Sequence, residues 1–420
     1  MAPNAARKLS LAILRIRNFR MLVFARMFTM MALQAQAIIV GWQIYSLTGD
    51  VFMLGLTGLA EAVPAIATAF FAGYVVDIGQ PRRIYIACIG LLALNTFVLF
   101  AFAGGYVPIE KTPLLILMFS CIFMSGLIRA FNAPSAFTIL AQTVRREDMP
   151  AAAAWLGTAF QTASVTGPAV AGIIYGGYGP GGAWIMPAML LTIGFFCATG
   201  IKLNKTVHAE KRESAVKSIT AGWKFIISHK PLLSMMALDM FAVLFGGAVA
   251  MLPAFAEEIL AVGAQGLGAL RAAPAVGAIF TTLYLALNPM QRISAMRLLV
   301  VVAGFGASMI GFGLSTNFWL SMVFLAFSGV FDSISMTIRG TLMQLLTPDH
   351  MRGRVSSINS MFIISSNEIG AFESGTAARF LGLAPSVVLG GICTLLVVGV
   401  IAKVSPKFRK LVVDPNEKAS

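Results

Sequence analysis

The chain has 420 residues, 58% of them hydrophobic and only 11% charged, and 31 Lys and Arg against 17 Asp and Glu give a formal charge of +14. A soluble domain carries about a quarter of its residues as charged ones, so this composition excludes one and calls for a lipid environment. The basic excess does not require a nucleic-acid partner, because membrane topology accounts for it.

Met1–Ser10 carries basic residues but no short apolar core ending in a small-residue cleavage site, so the first span is expected to be retained. Apolar runs of the roughly 20 residues a bilayer requires fall at 21–45, 52–76, 84–105, 113–141, 152–175 and 181–203. A second set follows at 231–255, 266–287, 295–315, 317–345, 354–378 and 383–404. The expected fold is an all-α membrane protein of about twelve transmembrane helices in two six-helix halves. The expected organisation is an N-terminal half at 1–203, a cytoplasmic linker at 204–230, a C-terminal half at 231–404 and a cytoplasmic tail at 405–420.

Twenty-five of the 31 basic residues lie on one side of this arrangement: before the first span, after spans 2, 4, 8 and 10, in the 204–230 connection, and in the tail. The opposite loops hold Asp50, Glu110, Glu257 and Glu258, with Lys111, and Arg271 and Arg379 close to outer helix ends. By the positive-inside rule both termini are cytoplasmic. Cys88, Cys121, Cys197 and Cys393 fall within spans without ligand spacing and read as small apolar fillers. With no phosphate-binding G-x-x-x-x-G-K-[ST] stretch, metal-ligand cluster or nucleophile motif, the expectation is a protein that is not an enzyme and uses no cofactor or metal.

The halves resemble each other. SGLIRAFNAPSAFTILAQTVRREDMPAA starts at Ser125 and SGVFDSISMTIRGTLMQLLTPDHMRGRV at Ser328, an offset of 203 residues. A duplicated unit of this kind is typical of secondary transporters, whose substrate site lies between the repeats.

GYVVDIGQPRR at 73–83 resembles the G-x-x-x-D-…-R-R signature between helices 2 and 3 of the major facilitator superfamily. The resemblance implies a conformational latch at Gly73, Asp77, Arg82 and Arg83, with Ile78 and Pro81 standing where basic residues are frequent. GPAVAG at 167–172 resembles the helix 5 signature of drug and proton antiporters, implying close packing at Gly167, Pro168 and Gly172, although Ala163 replaces a usual glycine. RAFNA at 129–133 resembles the R-x-x-Q-G signature of helix 4, which implies proton coupling at Arg129 and Asn132. NFRMLVFARMFTMMALQAQ at 18–36, SLTGDVFMLGL at 46–56, LDMFAVLFGG at 238–247 and PDHMRGRVSSIN at 348–359 are similar to the branch containing the enterobactin exporter and related multidrug efflux permeases.

A charged side chain in mid-membrane costs several kcal/mol and is kept where it faces a cavity or a partner. Glu61, Arg129, Asp239, Asp332, Glu368 and Glu373 are the candidates for proton coupling or the substrate cavity; Arg26 and Arg339, nearer helix ends, can snorkel. Glu368 and Glu373 are five residues apart and diverge by about 140° around a helix, so they face different neighbours. For each of these groups a structural ion pair or hydrogen bond stands beside the functional reading. Arg129 and Asp332 share a repeat position, and their opposite charges can meet across a cavity or find local partners.

The reading that follows is a proton-coupled exporter of siderophore-like or drug-like molecules, working by alternating access as an antiporter in a bacterial inner membrane. Its partners are then a small-molecule substrate, protons and the lipid bilayer. A proton-coupled uptake symporter and a non-transporting membrane sensor with the same fold are the alternatives.

Overall fold

A computed structural model describes residues 13–145, 148–203, 215–288, 290, 292–348 and 351–413. The helices are α1 Arg17–Thr48, α2 Val51–Ile78, α3 Pro81–Phe102, α4 Lys111–Thr143, α5 Met149–Thr199, α6 Ala215–Ser228 and α7 Lys230–Gly246. They continue as α8 Gly263–Leu287, α9 Ala295–Leu314, α10 Phe318–Leu346, α11 Arg352–Leu381 and α12 Leu383–Val404. In lipid every backbone N–H and C=O must be satisfied within the segment, which leaves helices as the solution for apolar runs of this length.

Ten helical stretches among the described residues are long and apolar enough to cross a membrane. One of them, α5, has 51 residues and is kinked at Gly179 (φ 67°, ψ −169°), which precedes Pro180. Only glycine adopts that backbone at ease, and about 75 Å of helix is more than twice a bilayer core, so α5 holds two spans. The 30-residue α11 is less apolar because it carries Arg352, Arg354, Glu368, Glu373 and Arg379, yet it is long enough to cross. Counting both gives the twelve spans of a major facilitator fold.

The chain forms two compact units, one of residues 1–47 and 63–212, the other of residues 48–62 and 213–420. The core of the first joins Phe19, Leu22 and Ala25 of α1 to Tyr85, Ile89 and Leu92 of α3, Ile128 and Ile139 of α4, and Leu191 and Ala198 of α5. Lipid tails are as apolar as these side chains, so close packing rather than water exclusion drives the association. Gly167 illustrates it: a Cβ there would stand 2.8 Å from the Met31 carbonyl oxygen of α1.

The second unit gathers Leu232, Met235 and Leu238 of α7, Leu298 and Val302 of α9, Ile338 and Leu342 of α10, and Val355 and Ile358 of α11. Residues 48–62, including the first part of α2, pack here: a Cβ on Gly375 of α11 would lie 2.7 Å from the Gly55 Cα. Beyond Gly246, α7 gives way to a 3-10 turn at Ala248–Met251 and a π turn at Phe255–Ile259. α11 crosses at that break, where a Cβ on Gly370 would meet the Leu244 carbonyl oxygen at 2.9 Å.

Two parts expected to be polar connections are built into this unit. Within the linker, α6 buries Ile226 and stacks Trp223 on Phe362 of α11 at 5.6 Å; residues 204–214 lie outside the description. In the tail Phe408 is buried, and β2 (Val412–Val413) pairs antiparallel with β1 (Ile293–Ser294).

Candidate functional site

Asp239 sits on α7, nine residues from its start, and is 8% exposed. Its carboxylate Oδ2 takes an ion pair from Arg339 Nη1 of α10, while Arg339 Nη2 lies 3.7 Å from Asp332 Oδ1. The Arg339 Nε donates to Ser335 Oγ at 3.1 Å. Asp332 and Arg339 are seven residues apart on α10, two helical turns, and therefore share a face. The Arg339 side chain is 11% exposed and that of Asp332 49%. Arg339 does not snorkel to a helix end: holding two carboxylates offsets its desolvation better than a route to headgroups.

One guanidinium cannot neutralise two carboxylates. With all three groups ionised the triad carries one negative charge, and one proton removes it. Asp239 is held at short range and buried; Asp332 is held loosely and half open. The cluster thus has a closed acidic position and an open one sharing a cation.

A second charged group surrounds the break in α7. Arg271, eight residues inside α8 rather than near its end, donates from Nη1 to the Val249 carbonyl oxygen at 3.2 Å. The charge of Glu368 on α11 acts on Arg271. The Glu368 carboxylate faces α2, where a Cβ on Gly58 would be 3.6 Å from Oε2. Glu61 follows Gly58 by one turn of α2 and, like Glu368, is partly buried. Glu373 is also partly buried on α11. Farther along, Arg379 Nη1 lies 3.9 Å from Asp50 Oδ2 and its guanidinium covers the Phe52 ring at 5.1 Å.

The first unit is furnished differently. Arg129 of α4 is exposed, while Asn132, 7% exposed, leaves its Nδ2 without a hydrogen-bond partner. The Thr96 hydroxyl donates to Gln36 Oε1 at 3.2 Å. Gln43 takes the Trp184 Nε1–H at 3.1 Å and donates to the Ala103 carbonyl oxygen at 2.5 Å. Arg82 of the expected latch binds carbonyls at and just beyond the end of α5, donating at 3.0 Å to Thr199 and also to Ile201. Gly73 has open space beside it and Arg83 is exposed, whereas the Asp77 side chain lies outside the description. Pro168 and Gly172 continue the α5 segment that Gly167 docks on α1.

Two residues therefore gain importance over the sequence reading. The seven-residue spacing of Asp332 and Arg339 was a readable signal for the first; nothing in the local pattern distinguished Arg271.

The sequence profile of the transmembrane secretion effector family matches residues 8–418. The chain belongs to this family. Among relatives of this transmembrane secretion effector, the enterobactin exporter EntS of Escherichia coli is 26% identical over 395 residues, 91% of this chain and 90% of EntS. The MFS-type transporter YfmI of Bacillus subtilis is 23% identical over 292 residues, 67% of this chain and 71% of YfmI. Similar solved structures include a POT family transporter in complex with a thioalcohol-conjugated peptide, with a TM-score of 0.73, 11% identity and coverage of 94% of this chain and 97% of that one. A bacterial homologue of the iron transporter ferroportin gives a TM-score of 0.70 at 15% identity, covering 93% and 99% of the two chains. This secretion effector is a multi-pass membrane transporter of the major facilitator type, not an enzyme.

Proposed function

We propose that this chain is a proton-coupled exporter of small organic molecules, siderophore-like or drug-like, exchanging protons for cargo by alternating access. The observation that carries the reading is the Asp239–Arg339–Asp332 triad. An ionised cluster inside the membrane layer is costly to keep, and one whose net charge is set by a single proton supplies a two-state element that a pH gradient can bias. Export rather than uptake is favoured by the helix 5 segment at Gly167–Gly172, by the family's description as secretion effectors and by the likeness to EntS. The lopsided placement of basic residues supports a topology with both termini in the cytoplasm of a bacterial inner membrane.

The test is a screen of candidate compounds in inside-out vesicles with an imposed pH gradient. Accumulation that collapses when a protonophore dissipates the gradient is expected. Gradient-independent equilibration, or movement in the opposite sense, would reject the reading.

A further inference from the structure

A feature of the second unit outside the triad suggests how cargo is held. α7 ends at Gly246, Gly247 leaves the helical region (φ −79°, ψ 49°), and the chain resumes as a 3-10 turn. Broken membrane helices are tolerated where they are buried in protein or line a cavity, and transporters place binding groups at such breaks. Arg271 reaches this break from the neighbouring α8, and one of its five N–H donors is anchored on Val249. Its acidic neighbour comes from a third helix, α11, through Glu368, whose other side is covered by Gly58 of α2. Both charged side chains are partly buried.

Anchoring through Val249 uses one donor, and the remaining fork matches the two oxygens of a carboxylate, whether that of Glu368 or one of the cargo. The small residues at Gly55, Gly58, Gly370 and Gly375 let α2, α7 and α11 approach closely around this point. Repacking of the α2 segment against α11 therefore changes how tightly Glu368 is enclosed. The position can then hold a carboxylate of the protein or one of the cargo, but one guanidinium face serves one of them at a time.

We propose that Arg271, at the break in α7, is an anion-recognition residue for cargo carrying a carboxylate or ionised phenol, with Glu368 as the resident counter-ion that such cargo displaces. This rests on the chain being an exporter of small organic molecules and narrows the cargo to organic anions.

The test uses full-length protein in lipid nanodiscs and a matched pair of probes, radiolabelled salicylate and its uncharged analogue salicylamide, measured by equilibrium dialysis at one pH without a gradient. The parent should prefer salicylate by about ten-fold, the scale of a charge-assisted contact. Arg271→Gln should remove that preference while leaving salicylamide binding unchanged. Arg271→Lys should keep part of it, and Glu368→Gln should strengthen salicylate binding several-fold by removing the competitor.

A parent without preference, an Arg271→Gln protein that retains it, or a Glu368→Gln protein with unchanged salicylate affinity would overturn the proposal. If Arg271→Gln does not reconstitute, Arg271→Lys decides: undiminished preference overturns the bidentate role. Loss of gradient-driven export alongside an intact salicylate preference would fail the exporter reading alone. Driven export with no charge preference would fail this inference alone.

Discussion

The two units solve the same problem, polar groups inside a membrane, with different chemistry. At the repeat offset of 203 residues, Arg129 of the first unit occupies the position of Asp332 in the second. In the first unit Gln36 is satisfied by Thr96, and Gln43 by Trp184 and Ala103. Those amides hold one charge state whatever the pH. In the second unit Asp239 and Asp332 share Arg339, and the net charge of the cluster depends on a proton. The buried amides Gln36 and Gln43 thus hold the first unit with neutral hydrogen bonds, whereas the second unit places a titratable ionic cluster in its interior. Neutral hydrogen bonds fix geometry; ion pairs with an excess carboxylate can switch.

The largest effect should come from breaking the charged copy at its shared cation. Arg339→Gln leaves Asp239 and Asp332 without compensation, and removing one member of a buried ionic cluster costs about 3–5 kcal/mol. Reconstituted protein should show a marked fall in thermal midpoint and lose gradient-driven export; retention of both would show that the triad is dispensable.

Next in size is the contrast between the two carboxylates. Asp239→Asn removes the buried, tightly held acid and should reduce gradient-driven flux about ten-fold or more, the equivalent of about 1.4 kcal/mol. Asp332→Asn, which removes an acid held only loosely, 3.7 Å from the cation, should have a smaller effect. Initial rates in vesicles at matched protein amounts measure both, and the reverse ranking would move the proton position to Asp332.

The smallest effect on transport should follow a break in the neutral copy. Gln43→Ala strands the buried Trp184 N–H and the Ala103 carbonyl, which costs about 1–3 kcal/mol of stability, yet the pH dependence of flux should stay as in the parent. A shifted pH profile would mean that the first unit also takes part in proton handling and would erase the contrast drawn above.

How much of this was legible in the sequence follows from the range over which each feature is determined. The spans could be read because hydropathy over about 20 residues settles whether a helix can cross lipid. The kink at Gly179–Pro180 and the seven-residue spacing of Asp332 and Arg339 are equally local. The resemblance motifs located Asp239 only as part of an intact stretch at 238–247, without saying what it meets. Its partner lies 100 residues away on another helix, and a span's rotation about its own axis is not written in its hydropathy.

By itself the sequence determined a membrane protein of about twelve spans, because burying backbone in lipid is a segment-by-segment requirement that composition meets or fails; the major facilitator type came from the resemblance of its motifs. Only the tertiary structure decided that Arg339 joins two aspartates instead of snorkelling and that α7 breaks where Gly370 of α11 crosses it. It also decided that Arg271 stands at that break rather than near a helix end. The reason is geometric. Which charges share a space depends on helix rotation and separation, and these are set by where small residues on different spans let backbones touch.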